Sequence, residues 1–315
     1  RLWPLSNDSR SKQFLKVLQK ESGQLESMVQ RVWRQLGRAE LKQSAFIATS
    51  KAQAEMIRNQ LGTDVSLVIE PERRDTFAAI ALASSYIHSH KKADLDEVIV
   101  VLPVDPYVDD SYFERIKDLE RVLNRSGASL ALMGVEPSHP SENYGYIVPK
   151  YDKDANQEYS WVSHFREKPD RHTAKQLIRQ GALWNCGVFA FSLGYLKRVV
   201  EEKGFSFDYD RLILQYRELP KISFDYEVVE QTAKIVVLPY LGSWKDLGTW
   251  NVLTEEMSAS VIGKGVISTD SVNAHIVNEL DIPVVLLGVS DVVVAASPDG
   301  ILVTDKTSSP RIKDI

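Results

Sequence analysis

The sequence predicts an α/β protein. Its large domain, residues 1–260, is built on a mixed, mostly parallel sheet, and a small all-β domain follows over residues 261–315. Three patterns carry this reading. Strand-length apolar runs alternate with helix-length segments through the first half of the chain, as in βαβ units. One run, Val98-Ile99-Val100-Val101-Leu102, is continuously aliphatic and mostly β-branched, which suits a strand buried on both faces of a parallel sheet. From Val261 onward, short apolar runs separated by Gly, Asp, Asn and Pro replace the alternation, and no helical period remains.

The elements follow in order. Residues 1–15 read as a polar, turn-rich loop carrying Arg1, Arg10 and Lys12. A helix is expected over 21–36, with Met28, Val29, Val32 and Leu36 on one face. Strands at 45–48 and 65–69 flank a helix at 51–61. A helix over 75–90 is capped by Asp75 or Thr76. The central strand runs into Pro103-Val104-Asp105-Pro106, and a helix at 111–124 and a strand at 129–135 complete the alternation. Strands at 144–149, 159–165 and 184–192, with a helix at 173–180, read as a mixed-sheet insertion that covers a substrate. A short helix begins within 224–230 and a strand occupies 234–238. A last helix starts in the frame Trp244-Lys245-Asp246-Leu247-Gly248-Thr249-Trp250 and ends near Met257.

Composition narrows the function. A net charge of −5 argues against sequence-independent nucleic-acid binding, which needs a basic face. The single cysteine, Cys186, excludes an internal disulfide and a cysteine-based zinc site. A cytoplasmic location is the expectation. No apolar run approaches the roughly 20 residues of a membrane span, so no membrane partner is expected.

The chemistry gathers on a few residues. Asp105 lies beyond the carboxyl end of its strand, where open α/β sheets bind ligands. It is a candidate metal ligand or general base; the alternative is a turn at Asp105-Pro106 or a cap for the helix near Ser111. Asp246 sits in the double-tryptophan frame, where Gly248 permits close approach; the alternative is an N-cap for the following helix. Two carboxylates from separate loops suit one Mg²⁺, which takes one or two carboxylates plus substrate phosphates. Arg1, Lys12 and Lys168 are the complementary cations. Gly145 between two tyrosines, Asn185 and Glu167 suggest a sugar pocket; a β-bulge at Gly145 and a turn at Asn185 are the alternatives.

In order along the chain, Arg1-Leu2-Trp3-Pro4-Leu5-Ser6 with Lys12-Gln13-Phe14, Glu70-Pro71 with Arg74-Asp75-Thr76, Leu102-Pro103-Val104-Asp105, Tyr144-Gly145-Tyr146-Ile147, Phe165-Arg166-Glu167-Lys168-Pro169, Trp184-Asn185-Cys186-Gly187 and Trp244-Lys245-Asp246-Leu247-Gly248 resemble the motifs of the sugar-nucleotide pyrophosphorylases. Within that group the chain resembles the bacterial mannose-1-phosphate guanylyltransferases, and residues 270–313 resemble that group's small β-helix-like domain.

The resemblance implies a Rossmann-like nucleotidyltransferase domain. It implies the reaction of mannose 1-phosphate with GTP to give GDP-mannose and pyrophosphate, or, as alternatives, another hexose-1-phosphate nucleotidyltransferase or a non-catalytic regulatory subunit. By carry-over, Asp105 and Asp246 hold Mg²⁺. Arg1 and Lys12 bind the triphosphate, and Lys168 meets the sugar phosphate. Gly145, Glu167 and Asn185 lie at the sugar, and Glu70, Arg74 and Asp75 at the base. Ser11, Asp75 and Pro106 depart from the family's usual Pro, Asn and His. The start at Arg1, inside a motif, predicts that a first strand and a Gly-rich loop precede it. The end at Ile315, without the isomerase domain of longer members, predicts a monofunctional enzyme. The apolar β tail suggests a homodimer through the C-terminal domain.

Overall fold

The computed structural model describes residues 2–7, 10–150 and 158–314. The chain forms two compact units. One gathers Arg1–Arg38, Val104–Val108 and Trp244–Ile315; the other gathers Ala39–Pro103 and Asp109–Ser243.

The second unit holds a six-stranded sheet in the order Val98–Val101, Leu183–Ser192, Leu130–Val135, Ile235–Tyr240, Ser160–Arg166, Tyr146–Pro149. Leu183–Ser192 also pairs with Tyr146–Pro149. The sheet is mixed, as expected, but the expected predominance of parallel pairing is absent. Among its described pairings only Leu130–Val135 with Ile235–Tyr240 is parallel. The reason is the long Leu183–Ser192 strand, which runs antiparallel to all three of its partners.

The apolar run expected at the sheet's centre is instead an edge strand. Val98–Val101 pairs only with Leu183–Ser192 among described residues, and all four of its residues are half-buried. The helix Ser111–Ser126 packs on it, so an edge strand keeps aliphatic side chains. The strands read as an insertion belong to this same sheet. A separate parallel pair joins Ile47–Ser50 to Leu67–Glu70. Helices Asp75–Lys91, Leu193–Glu202 and Tyr209–Gln215 close the core around the fully buried rings of Phe77, Phe191, Tyr216 and Phe224. Two of these helices, Leu193–Glu202 and Tyr209–Gln215, are not anticipated from the sequence.

The first unit opens with a short hairpin, Leu18–Gln19 against Leu25–Glu26, turned at Gly23 with φ +83°. The expected helix over 21–36 therefore begins later, as Met28–Arg38. Pro106–Val108 pairs antiparallel with Trp244–Asp246. The last helix is Trp250–Glu256.

Beyond it the chain coils as a solenoid. Val261–Ile262, His275–Asn278 and Val292–Ser297 form one parallel ladder, closed by antiparallel Gly300–Asp305, and Gly265–Ile267 with Val284–Leu286 forms another. Side chains alternate as strand geometry requires. Val277, Val293 and Ala295 join a core with Leu2, Leu5, Leu15 and Trp250, whereas Ile276 and Val294 join one with Leu286. Among the described residues no helix is long and apolar enough to cross a membrane.

Candidate active site

In the first unit, the ladder between Pro106–Val108 and Trp244–Asp246 sets Asp246 opposite Pro106. That register brings together two acids 141 positions apart in the numbering, Asp105 and Asp246. Lys12, at the head of the short 3-10 turn Lys12–Phe14, bridges them. Its Nζ lies 2.6 Å from Asp246 Oδ1 and 3.0 Å from Asp105 Oδ2, and all three side chains are about a quarter exposed. Burial works against the lysine's charge, but the carboxylates, Asp105 foremost, outweigh it and hold the ammonium above the ordinary lysine value.

Neither acid is a cap. Asp246 lies in a strand, the helix after it starts from Thr249, and the helix beyond Asp105 starts from Asp110. Gly248 has the role its position suggests: a Cβ there would stand 3.2 Å from both Asp246 carboxylate oxygens. The helix Met28–Arg38 fixes the Asp105 side, since Arg31 Nη2 and Gln35 Nε2 donate to the Val108 carbonyl at 3.2 and 3.0 Å. Arg1, the other expected cation of this group, lies outside the described residues.

In the second unit, the Leu183–Ser192 strand breaks register between Asn185 and Phe189, with Gly187 at φ +72°. Asn185 stands at that irregularity. Its Nδ2 donates to Asp225 Oδ1 at 2.7 Å, its Oδ1 accepts from Gly187 N, and its own N–H donates to the Gly145 carbonyl at 2.8 Å. Gly145 precedes the Tyr146–Pro149 strand, and the buried Tyr146 hydroxyl closes the loop through both backbone groups of Ser141.

Glycine is required at 145 by close approach. A Cβ there would come within 2.4 Å of Glu167 Oε2 and 2.7 Å of Phe165 Cζ. Glu167 is buried, with Oε1 2.8 Å from Lys168 Nζ and Oε2 without a hydrogen-bond partner. Such an oxygen is an acceptor in want of a donor. Lys168 holds φ +40°, an uncommon backbone for a non-glycine residue. Burial opposes its charge, but Glu167 more than offsets that and raises its pKa.

Two acids here are missed by sequence reasoning. Asp225 and Glu230 lie at the ends of a single π-turn, Asp225–Val229 with its C-cap. Glu230 Oε1 accepts from Glu167 N at 3.1 Å. Burial first, and the neighbouring Glu167 second, push the Asp225 carboxyl up to about 6. An i→i+5 turn aligns residues that a 3.6-residue period keeps apart, so an α-helical reading gives no signal for the pair.

The residues expected at the base form a third group, also in the second unit. Glu70 Oε2 accepts from the Tyr216 hydroxyl at 2.8 Å, and burial raises the Glu70 pKa. Arg74 donates to the Leu219 carbonyl and to Glu72 rather than to Asp75. Asp75 is the first helical residue, at φ +68°, and accepts the N–H of Thr76 at 2.7 Å. That left-handed conformation is one that Asn and Asp both tolerate.

Among the described residues, no cluster of three or more His, Cys, Asp and Glu side chains could hold a metal. The acids with the right character are the pair on Lys12. A single cation, the lysine ammonium, already sits within reach of one oxygen from each, so the donor set fits a hard divalent ion that completes its shell with water and phosphate.

Comparison with known proteins gives a consistent picture. A family model for nucleotidyl transferases matches residues 1–261. Mannose-1-phosphate guanylyltransferase of Escherichia coli is 30% identical over 346 aligned positions, spanning 100% of this chain and 72% of its own. Alginate biosynthesis protein AlgA of Pseudomonas aeruginosa is 27% identical over 100% of this chain and 68% of its own. A crystal structure described as mannose-1-phosphate geranyltransferase from Thermus thermophilus superposes with a TM-score of 0.80 at 28% identity, over 99% of this chain and 93% of that one.

Proposed function

The chain belongs to the nucleotidyl transferase family, and from that premise we propose that it transfers GMP from GTP to mannose 1-phosphate, giving GDP-mannose and pyrophosphate. The observation that carries the reading is the convergence of Asp105 and Asp246 on Lys12.

The sugar phosphate is already an anionic nucleophile, so the reaction needs no strong general base. One of its oxygens attacks the α-phosphorus of GTP in line, and pyrophosphate leaves with the bonding pair. The difficulty is repulsion between polyanions, which positioning and cationic groups relieve. Asp105 and Asp246 would hold Mg²⁺, which would supply charge neutralisation at the phosphates when bound. Lys12 exchanges its carboxylate partners for the triphosphate, which Arg1 also binds in the family's pattern. Lys168 receives the sugar phosphate. Glu167 and Asn185, set by the close approach at Gly145, accept and donate to hexose hydroxyls. Glu70, Arg74 and Asp75 bind on the base side. A cytoplasmic location belongs to the same proposal and is supported by the single cysteine, Cys186, buried as a free thiol. Exposed Val266 and Val285, paired in register, with Leu287 beside them, support a homodimer through the solenoid.

The test is pyrophosphate release over a grid of nucleoside triphosphates and hexose 1-phosphates, with and without Mg²⁺. Release confined to GTP, mannose 1-phosphate and metal supports the reading. Release with another pair keeps the mechanism and changes the substrates. Nucleotide binding without release under any condition points to a regulatory subunit.

A further inference from the structure

The loop that carries Lys12 is held at one edge of the solenoid. The parallel register of His275–Asn278 with Val292–Ser297 aligns the ends of both strands, and Glu279 N donates to the Ala296 carbonyl at 2.9 Å. Glu279, Ser297, Asp299 and Gly300 therefore share that edge.

The loop meets it at several points. Arg10 makes a two-pronged pair with Glu279, at 2.8 and 2.6 Å. Asn7 Nδ2 donates to Asp299 Oδ2 at 2.5 Å, while Asn7 Oδ1 accepts from Arg10 N at 2.7 Å. Ser297 Oγ donates to the Pro4 carbonyl. Away from that edge, Trp250 Nε1 of the helix Trp250–Glu256 donates to the Trp3 carbonyl. At Gly300, φ is +152°, and a Cβ would lie 2.6 Å from the Trp3 ring. Leu2 and Leu5 are buried in the same core as Val277, Val293 and Ala295. Much of the Leu-Trp-Pro-Leu-Ser motif thus serves to seat the loop.

We infer that this solenoid edge is a positioning surface for the loop bearing Lys12, and that Arg10 and Glu279 are positioning residues for the transfer reaction. The inference rests on the nucleotidyl-transfer reading. Arg10 stands two residues before Lys12, so the fork of its guanidinium fixes where the lysine's backbone starts. A planar, bidentate pair holds orientation as well as distance. Both side chains are one-third exposed, so the pair contributes little to folding, and its loss separates positioning from unfolding.

The experiment is a charge swap, with Arg10→Glu, Glu279→Arg and the double variant compared by steady-state kinetics, thermal unfolding and amide hydrogen exchange. Each single variant is expected to lower kcat/KM for the nucleotide by 10- to 100-fold, with the KM for sugar phosphate and the melting temperature nearly unchanged. Exchange in residues 10–18 should rise. The double variant should regain activity to within about threefold and regain protection.

A loss in Arg10→Glu alone, with Glu279→Arg like wild type, would overturn the inference and make Arg10 a direct ligand of phosphate. A double variant as impaired as the worse single would overturn it as well. If wild type releases no pyrophosphate on any substrate, the transfer reading fails. Hydrogen exchange then decides the seating of the loop separately: unchanged protection in Glu279→Arg overturns it, and restored protection in the double variant upholds it.

Discussion

Asp246 lies directly across an antiparallel ladder from Pro106, the residue that follows Asp105. This register places two carboxylates on one lysine and gives the first prediction. Asp105→Ala and Asp246→Asn should each cut turnover by roughly 10³-fold, about 4 kcal/mol of transition-state stabilisation. The requirement for Mg²⁺ should rise in both. Pyrophosphate release along a Mg²⁺ titration measures it, and wild-type turnover in either variant would refute the assignment.

Lys12 screens the two acids from each other. Lys12→Met should therefore destabilise the protein in EDTA by about 1–2 kcal/mol. Added Mg²⁺ should narrow the gap to wild type, because a divalent ion replaces the missing charge. Thermal melts with and without Mg²⁺ test this. A gap that metal leaves unchanged would argue against the pair as a metal site.

Asp225 carries a pH signature. Its folded pKa, about 6, lies above the ordinary 3.8, so the folded state binds more protons than the unfolded one between those values. Stability contributed by this group is present in full below pH 3.8 and falls as pH rises through 6. Asp225→Asn should remove that fall and leave the variant more stable relative to wild type at pH 7 than at pH 4, by roughly 2 kcal/mol. Urea unfolding at the two pH values reads the difference.

Gly145→Ala tests the close approach of Glu167. The added methyl has no room beside Oε2 and the Phe165 ring. We expect a loss of about 1–3 kcal/mol in stability and a KM for mannose 1-phosphate raised more than tenfold, with the KM for GTP nearly unchanged. Equal changes in both KM values would place Gly145 outside the sugar subsite.

The solenoid's exposed aliphatics give a fifth test. Val285 and Leu287 are 63% and 75% exposed, and an uncovered apolar patch marks an interaction surface. Light scattering should find the wild type at twice the mass of one chain, and Val285→Lys with Leu287→Lys should halve it. A monomeric wild type would end the dimer proposal.

Part of the helical framework was legible in the sequence from segment length and flanking turn signals, but capping was not the guide. The expected cap at Asp75 or Thr76 gives way to Arg74, which makes no side-chain cap bond, whereas the helices capped by Ser192 and Asp208 are missed by sequence reasoning. The helices at Lys51–Leu61 and Asp75–Lys91 fall where their patterns place them. Strand partners were not legible. A β-branched run looks the same at a sheet's edge as at its centre when a helix covers it, and Val98–Val101 is such a run. Residues 21–36 carry helical spacing at their end, but the Gly23 turn is decisive at their start. At the candidate site, motifs named Asp105, Asp246, Glu167 and Asn185 one by one. Their grouping depends on ladders between distant segments, and Asp225 and Glu230 depend on a rare turn.

On the ribosome, this arrangement is completed late. Lys12 and Asp246 are 234 positions apart, so at 5–20 residues per second the lysine waits roughly 10–50 s for its second carboxylate. The edge that seats its loop is made later still, since Glu279 and Asp299 follow Asp246. The amino-terminal segment is thus among the first synthesised and the last to settle. A nascent chain stalled before Trp244 should show residues 2–38 open to protease while residues 39–103 are already protected.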